Sequence, residues 1–190
     1  MNTWLRRVTR YIYRLVTYLV VIIFVIYAVR AVDSTRKPDL MPWHAAQFDQ
    51  EFRAKSETND DWQNYLELET RVFKELDAKV MQRVPENAHF SYNRYSKRSR
   101  TNPTQFQINW NRSFEMRPRS EPIGTAILVH GLTDSPYSVR ATAEILLEEG
   151  FYVIGPRMPG HGTAPSGLLT ASWKDWAAVV RLAVAHGIET

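Results

Sequence analysis

Two glycine-flanked histidines are the first residues whose types suggest chemistry. His130-Gly131 follows the apolar run Ala126 to Val129, and Gly160-His161-Gly162 follows Phe151 to Ile154. Gly160-His161-Gly162-Thr163-Ala164-Pro165 begins like a phosphate-cradling G-x-G-x-x-G. Its last position is proline, no helix opens there, and no acidic residue follows where a ribose would need one. That argues against a dinucleotide site. Ser172-Trp173-Lys174-Asp175 has the form of a capping box with Asp in place of Glu, so Ser172 reads as a helix cap rather than a nucleophile. His44, His89 and His186 have no partner that the sequence names. The chain has no cysteine, so disulfides and thiolate-bound metals are excluded. No cofactor or metal ligand set is expected.

The elements that would position these residues follow from local pattern. Ala126 to Val129 is a short continuous apolar run, as for a strand buried on both faces. A helix is expected from about Pro136 to Glu149, with Ser135 as its cap, Pro136 in its first turn, and Val139, Ala141, Ile145 and Leu146 as its apolar face. Gly150 sits where a C′ glycine ends a helix. Phe151 to Ile154 reads as a second buried strand. The whole is a βαβ unit, with parallel strands and a right-handed crossover. A last helix should run from the Ser172 cap to about His186, with Trp176, Val179, Val180, Leu182 and Val184 available for burial and Gly187 stopping it.

On these residues the sequence resembles the α/β-hydrolases, most closely the bacterial carboxylesterases and monoacylglycerol lipases. His130-Gly131-Leu132-Thr133 stands at a strand end. Pro159-Gly160-His161-Gly162-Thr163 and then Trp173-Lys174-Asp175-Trp176 follow in the family's order. The likeness covers Pro122 to Ile188. It implies an α/β fold: the N-terminal part of an α/β-hydrolase, with a mixed, mostly parallel sheet; a transmembrane helix and a helical segment, read below from the residues themselves, precede it. It implies acyl transfer on carboxylic esters through a tetrahedral oxyanion held by backbone N–H groups. In this fold one such donor comes from the loop after the third strand, which in this chain is the N–H of Leu132. Gly131 would let the backbone turn closely under the substrate. Thr133 and Asp134 would line the entrance. The resemblance makes His130 and His161 loop braces rather than bases, within the loops that hold Gly131, Gly160 and Gly162. No G-x-S-x-G occurs in the sequence. In the family the nucleophile elbow comes one strand after the last helix here. The expectation is a chain cut before that elbow, with Ser, acid and His beyond Thr190, and inactive by itself. The rival is a non-catalytic, membrane-tethered binding module of the same fold.

The N-terminus carries a different signal. Leu15 to Val29 has no charge, and Tyr11 to Val32 makes roughly 33 Å of helix, enough to span a bilayer. Trp4, Tyr11, Tyr13 and Tyr27 suit the interfaces. Arg6, Arg7, Arg10 and Arg14 precede the span, against Arg30, Arg36 and Lys37 after it. This bias puts the N-terminus in the cytoplasm and the remainder outside it, at a bacterial inner membrane. A cleaved signal peptide ending near Ala31 is the rival. The expected division is a cytoplasmic tail and anchor at 1–32, a linker and amphipathic helical segment at 33–86, and the hydrolase part at 87–190. The expected partners are the bilayer, through residues 11–32, and a small-molecule or lipid ester.

Between anchor and strands, Trp62, Tyr65, Leu66, Val72, Phe73, Leu76 and Val80 recur at helical spacing, from a start near Asn59-Asp60 to Val84. Gln47 to Lys55 reads as an earlier helical piece. The helix is expected to pack on the hydrolase body. His89 to Tyr95 and Gln105 to Phe114 alternate polar and apolar residues, as for antiparallel strands. Arg94, Lys97, Arg98 and Arg100 lie between them, as a solvated hairpin tip or, beside an anchor, a loop that touches anionic lipid headgroups. The formal charge of +4 is spread among interspersed acids and does not argue for nucleic acid.

Overall fold

The computed structural model describes residues 3–37, 39–54 and 61–190. The chain divides into two compact units, residues 1–39 and 40–190.

In the first unit, α1 (Thr3–Thr35) is a single helix. From Arg6 to Thr35 its most apolar window has a mean hydropathy of 2.5, and none of that window is buried. Apolar side chains such as Phe24, Ile26 and Val29 stand exposed all round it. By length and composition such a helix suits a membrane anchor or a signal sequence.

The second unit is mixed α/β around a small sheet. Its elements are α2 (Pro42–Ala45), α3 (Trp62–Lys79), β1 (Phe114–Met116), β2 (Thr125–Ile127), α4 (Arg140–Glu148), β3 (Tyr152–Gly155) and α5 (Trp173–Glu189). The strand order is β1-β3-β2. β2 and β3 are parallel, with Ala126 opposite Val153, so the βαβ reading holds. β1 is antiparallel to β3, with Glu115 opposite Ile154. One pairing of each kind makes the described sheet mixed, not mostly parallel. β3 is buried along its length because both edges are paired and both faces covered. β2 corrects the expectation of a strand buried on both faces. Its outer edge has no partner among the described residues, Thr125 is exposed, and Val129 beyond it is 47% exposed.

α4 is preceded by a 3₁₀ turn over Pro136–Val139. Ser135 does not cap it: its hydroxyl donates to Asn111 Oδ1 at 3.0 Å instead. The covered face is Ala143 with Leu146 and Leu147, while Ala141 and Ile145 point to solvent. Gly150, at φ +94°, ends the helix. Its N–H bonds Leu147 O and the Phe151 N–H bonds Leu146 O, the pair of bonds that a C′ glycine makes possible.

α3 is amphipathic as read, with Asp61 Oδ1 accepting from the Asn64 N–H at its N-terminus. The expected start at Asn59-Asp60 lies outside the described residues. The α-helix stops at Lys79 and a 3₁₀ turn carries on through Met81–Arg83. The residues of 46–54 are not helical, which corrects the earlier helical piece; the helix there is the single turn α2. His89 to Tyr95 and Gln105 to Ser113 form turns rather than strands. Of these stretches only Phe114 joins the sheet, in β1, because the preceding backbone is taken up in successive turn bonds.

Two apolar clusters hold the unit. Phe52, Trp62, Tyr65, Tyr152, Ile154, Met158, Val179 and Ala183 join α3, the sheet and α5. Phe48, Val72, Leu76, Val80, Met81, Tyr95 and Ala164 form the second. α5 begins with Asp175 Oδ2 accepting from the Ser172 N–H at 2.8 Å and the Ser172 hydroxyl at 2.7 Å. It does not stop at Gly187 but runs on to Glu189.

Candidate active-site loops

The loop after β2 and the loop after β3 are bound to each other by histidine. His130 is buried, and its Nε2 accepts from the Met158 N–H at 3.0 Å. That bond needs the lone pair of Nε2, which assigns the ring proton to Nδ1, 3.0 Å from Gly131 O. Both nitrogens are thus occupied by backbone. Burial pushes the His130 pKa down and keeps the ring neutral, with the nearby His161 and Arg157 charges acting the same way. A ring so engaged has no free nitrogen with which to take a proton from a substrate.

His161 sits against it, ring centroids 5.0 Å apart, and against Trp176 at 5.4 Å. Its Nδ1 lies 3.1 Å from Pro159 O, and Trp176 Nε1 donates to the same carbonyl at 3.0 Å. Burial also lowers the His161 pKa. Its Nε2, with Thr163 Oγ1 and Ser166 Oγ, is buried without a hydrogen-bond partner among the described residues.

Thr133, Asp134, Gly160, His161 and Gly162 line one cavity of about 220 Å³. Gly131 and Leu132 are outside its walls; Leu132 is 68% exposed. The Leu132 N–H has no hydrogen-bond partner among the described residues. The next residue, Thr133, holds φ at 65°. That is an unusual conformation for a β-branched side chain, one that persists only where the surroundings fix it. Asp134 Oδ1 accepts from the Ser135 N–H at 2.8 Å, which tightens the same turn. The arrangement offers an exposed, unused backbone donor on a turn braced from below. This is the kind of group that stabilises a developing oxyanion.

The residue that fixes the second loop was not expected from the sequence. Arg157 is fully buried. Its guanidinium meets Glu51 through two bonds of 2.8 and 3.1 Å and Glu69 at 3.3 Å. It also donates to His161 O at 3.0 Å. Glu51 Oε2 accepts from the Gly160 N–H at 2.9 Å, and Tyr65 OH donates to Arg157 O. Arg112 and Ser113 complete the shell of Glu69, at 3.0 and 2.7 Å. Burial pushes the Glu51 carboxyl up, but the charge and hydrogen bonds of Arg157 and the Gly160 and Phe52 N–H groups together bring it below its ordinary value. One signal could have found this cluster. Glu69 lies on the buried stripe of α3 with Trp62, Tyr65, Val72 and Leu76, where an acid needs a buried partner.

No family model matches the chain. Among curated proteins it is similar to a thermostable monoacylglycerol lipase of Bacillus sp. (strain H-257), 41% identical over 59 residues. That stretch is 31% of this chain and 23% of the lipase. Among solved structures it is similar to a lipolytic enzyme from a study of two metagenome-derived enzymes, LipS and LipT. The identity is 28%, covering 43% of this chain and 32% of that one, with a TM-score of 0.40. The chain thus spans well under half the length of the lipolytic proteins it matches. Over about a third of its length its sequence is thus similar to a monoacylglycerol lipase.

Proposed function

We propose that this chain is the N-terminal part of a membrane-anchored serine hydrolase acting on carboxylic esters. The observation that carries the reading is the His130–Met158 bond, which braces the turn bearing the free Leu132 N–H. In this reading Leu132 N–H is one oxyanion donor, and Thr133, Asp134 and the Gly160–Gly162 loop form the entrance. The nucleophile, acid and base are supplied by sequence after Thr190. α1 is an uncleaved anchor with its basic end in the cytoplasm, supported by its apolar surface and the arginines that precede the span. The ester is lipid-like, as the name of the Bacillus relative suggests.

The test is to express the gene to its own stop codon, treat the product with a fluorophosphonate, and follow hydrolysis of a p-nitrophenyl ester. Stoichiometric labelling of a serine after Thr190 supports the enzyme. Leu132→Pro, which removes the N–H, should then lower kcat by roughly 10²–10³-fold, while Leu132→Ala keeps the donor and most of the rate. A full-length product without a reactive serine leaves the membrane-tethered binding module instead.

A further inference from the structure

A second cavity of this unit shares its Arg94 wall with the cavity beside the candidate oxyanion turn. It measures about 760 Å³, the size of a site for a small organic molecule. Its walls are of two kinds. Tyr92, Phe106 and Trp110 supply apolar surface, and Arg94, Arg100 and Arg140 supply positive charge. No aspartate or glutamate lines it.

The charges of this region separate into two sets. Lys97 is paired with Asp77 at 2.8 Å, and Arg98 with Glu86 at 3.0 Å. Arg94 donates only to a backbone carbonyl, Gly162 O, at 3.2 Å. Arg100 has no partner among the described residues. Arg140 lies over the Tyr137 ring, 4.8 Å from its centroid, and meets Glu144 only at 3.6 Å. Lys97, Arg98 and Arg140 are thus paired with acids, whereas Arg94 and Arg100, which meet no acid among the described residues, line the cavity. Its walls are set in advance. Asn93 Nδ2 donates to Ala88 O at 2.8 Å, Asn102 Nδ2 to Arg94 O at 3.0 Å, and Ser99 Oγ to Ser91 O at 2.7 Å.

We infer that this cavity binds an amphipathic anion: a phosphate or carboxylate head held by Arg94 and Arg100, on an aliphatic chain laid against Phe106 and Trp110. Guanidinium groups suit such heads because their planar donors match two oxygens at once. Aromatic walls suit the chain, since each buried methylene adds to binding. A solvated hairpin tip would not place arginines without acids around one aromatic hollow.

The test uses the full chain in phosphatidylcholine nanodiscs with soluble probes below their micellar range. Octyl phosphate and octanoate are followed by saturation-transfer NMR, with empty nanodiscs subtracted. Saturable binding of either anion is expected, and the tighter of the two identifies the head. Butyl phosphate, inorganic phosphate and octyltrimethylammonium should bind far more weakly. Arg100→Gln, at an exposed and unpaired position, should weaken the anion about tenfold. Lys97→Gln should leave it unchanged. Equal binding of the octyl cation, wild-type affinity in Arg100→Gln, or binding seen only on vesicles containing phosphatidylglycerol would overturn the site. No probe is a carboxylic ester, so the result stands apart from the hydrolase reading.

Discussion

From Phe114 to Thr190 the backbone largely satisfies itself. β1, β2 and β3 exchange ladder bonds, α4 ends in its own C′ bonds, and α5 opens on its own cap. From Leu40 to Ser113, α3 apart, backbone bonds close only single turns, and side chains tie those turns together. Asn93, Asn102 and Ser99 hold the turns of 88–104, and Glu51 and Glu69 hold Arg157 from a distance in sequence. A ladder tolerates many side chains because its bonds are backbone. A side-chain scaffold depends on individual residues, and truncating one leaves buried groups unpaired.

The largest test falls where the two regions meet. Arg157→Leu removes the shared cation of a fully buried ion cluster, leaving Glu51 with no cation and Glu69 with Arg112 alone. The expected loss is about 3–5 kcal/mol, a large share of a domain's stability. Urea denaturation of the full chain in detergent measures it. A loss below about 1 kcal/mol would mean that the carboxylates find water and that the cluster is not a shared clamp.

Acid titrates the same clamp. Glu51 is held below its ordinary value of 4.5, so as pH falls the unfolded chain takes up its proton first. Its contribution is complete above about pH 4.5 and is lost as pH falls through the lower folded value. His130 and His161 are also held down, by burial, so a separate loss begins already below about pH 6.5. The melting temperature should therefore fall in two stages on acidification. Glu51→Gln should be less stable at neutral pH yet lack the lower stage. A lower stage that persists unchanged in this variant would assign it to other carboxylates.

The same division explains what the sequence disclosed. The parallel pair, the Gly150 stop, the Ser172–Asp175 cap and the apolar stripe of α3 are written in short periods and fixed offsets, and all are present. The strands expected at His89–Tyr95 and Gln105–Phe114 failed because alternation of Phe90, Tyr92, Phe106 and Ile108 reports exposure as readily as burial. All four are exposed here. For the candidate site, the sequence named two loops that do face one cavity, but not the Arg157 cluster behind them. Its partners are joined across the fold, and no local pattern encodes such a pairing.

A matched pair of truncations sharpens the contrast. Asn102 is fully buried, donates to Arg94 O at 3.0 Å and accepts from the Thr104 N–H at 2.9 Å. Asn102→Ala strands both groups and should cost about 2–4 kcal/mol. Ser172→Ala removes a cap hydroxyl at an exposed helix start, and should cost only about 0.5–1 kcal/mol. Thermal melts of the two variants compare them directly. Equal losses would erase the distinction between the two regions.

The smallest effect tests a corrected element within the ladder region. Gly187 lies inside α5, where glycine is ordinarily about 1 kcal/mol worse than alanine. If it served to stop the helix, or merely sat on a free face, Gly187→Ala would be neutral or stabilising. Its environment argues otherwise. A Cβ placed there would come within 2.7 Å of Thr125 Cγ2, and Thr125 Oγ1 donates to Gly187 O at 3.0 Å. The glycine is what lets α5 lie close on β2. Overpacking at such a contact costs about 1–3 kcal/mol, which outweighs the propensity gain, so Gly187→Ala should be destabilised by about 1 kcal/mol. Thr125→Ser deletes the offending methyl and keeps the hydroxyl bond. In that background the alanine should become neutral or favourable, a coupling that a double-mutant cycle reads without assumptions about the unfolded chain's helix content. Additive effects of the two substitutions would show that helix and strand do not touch at this point.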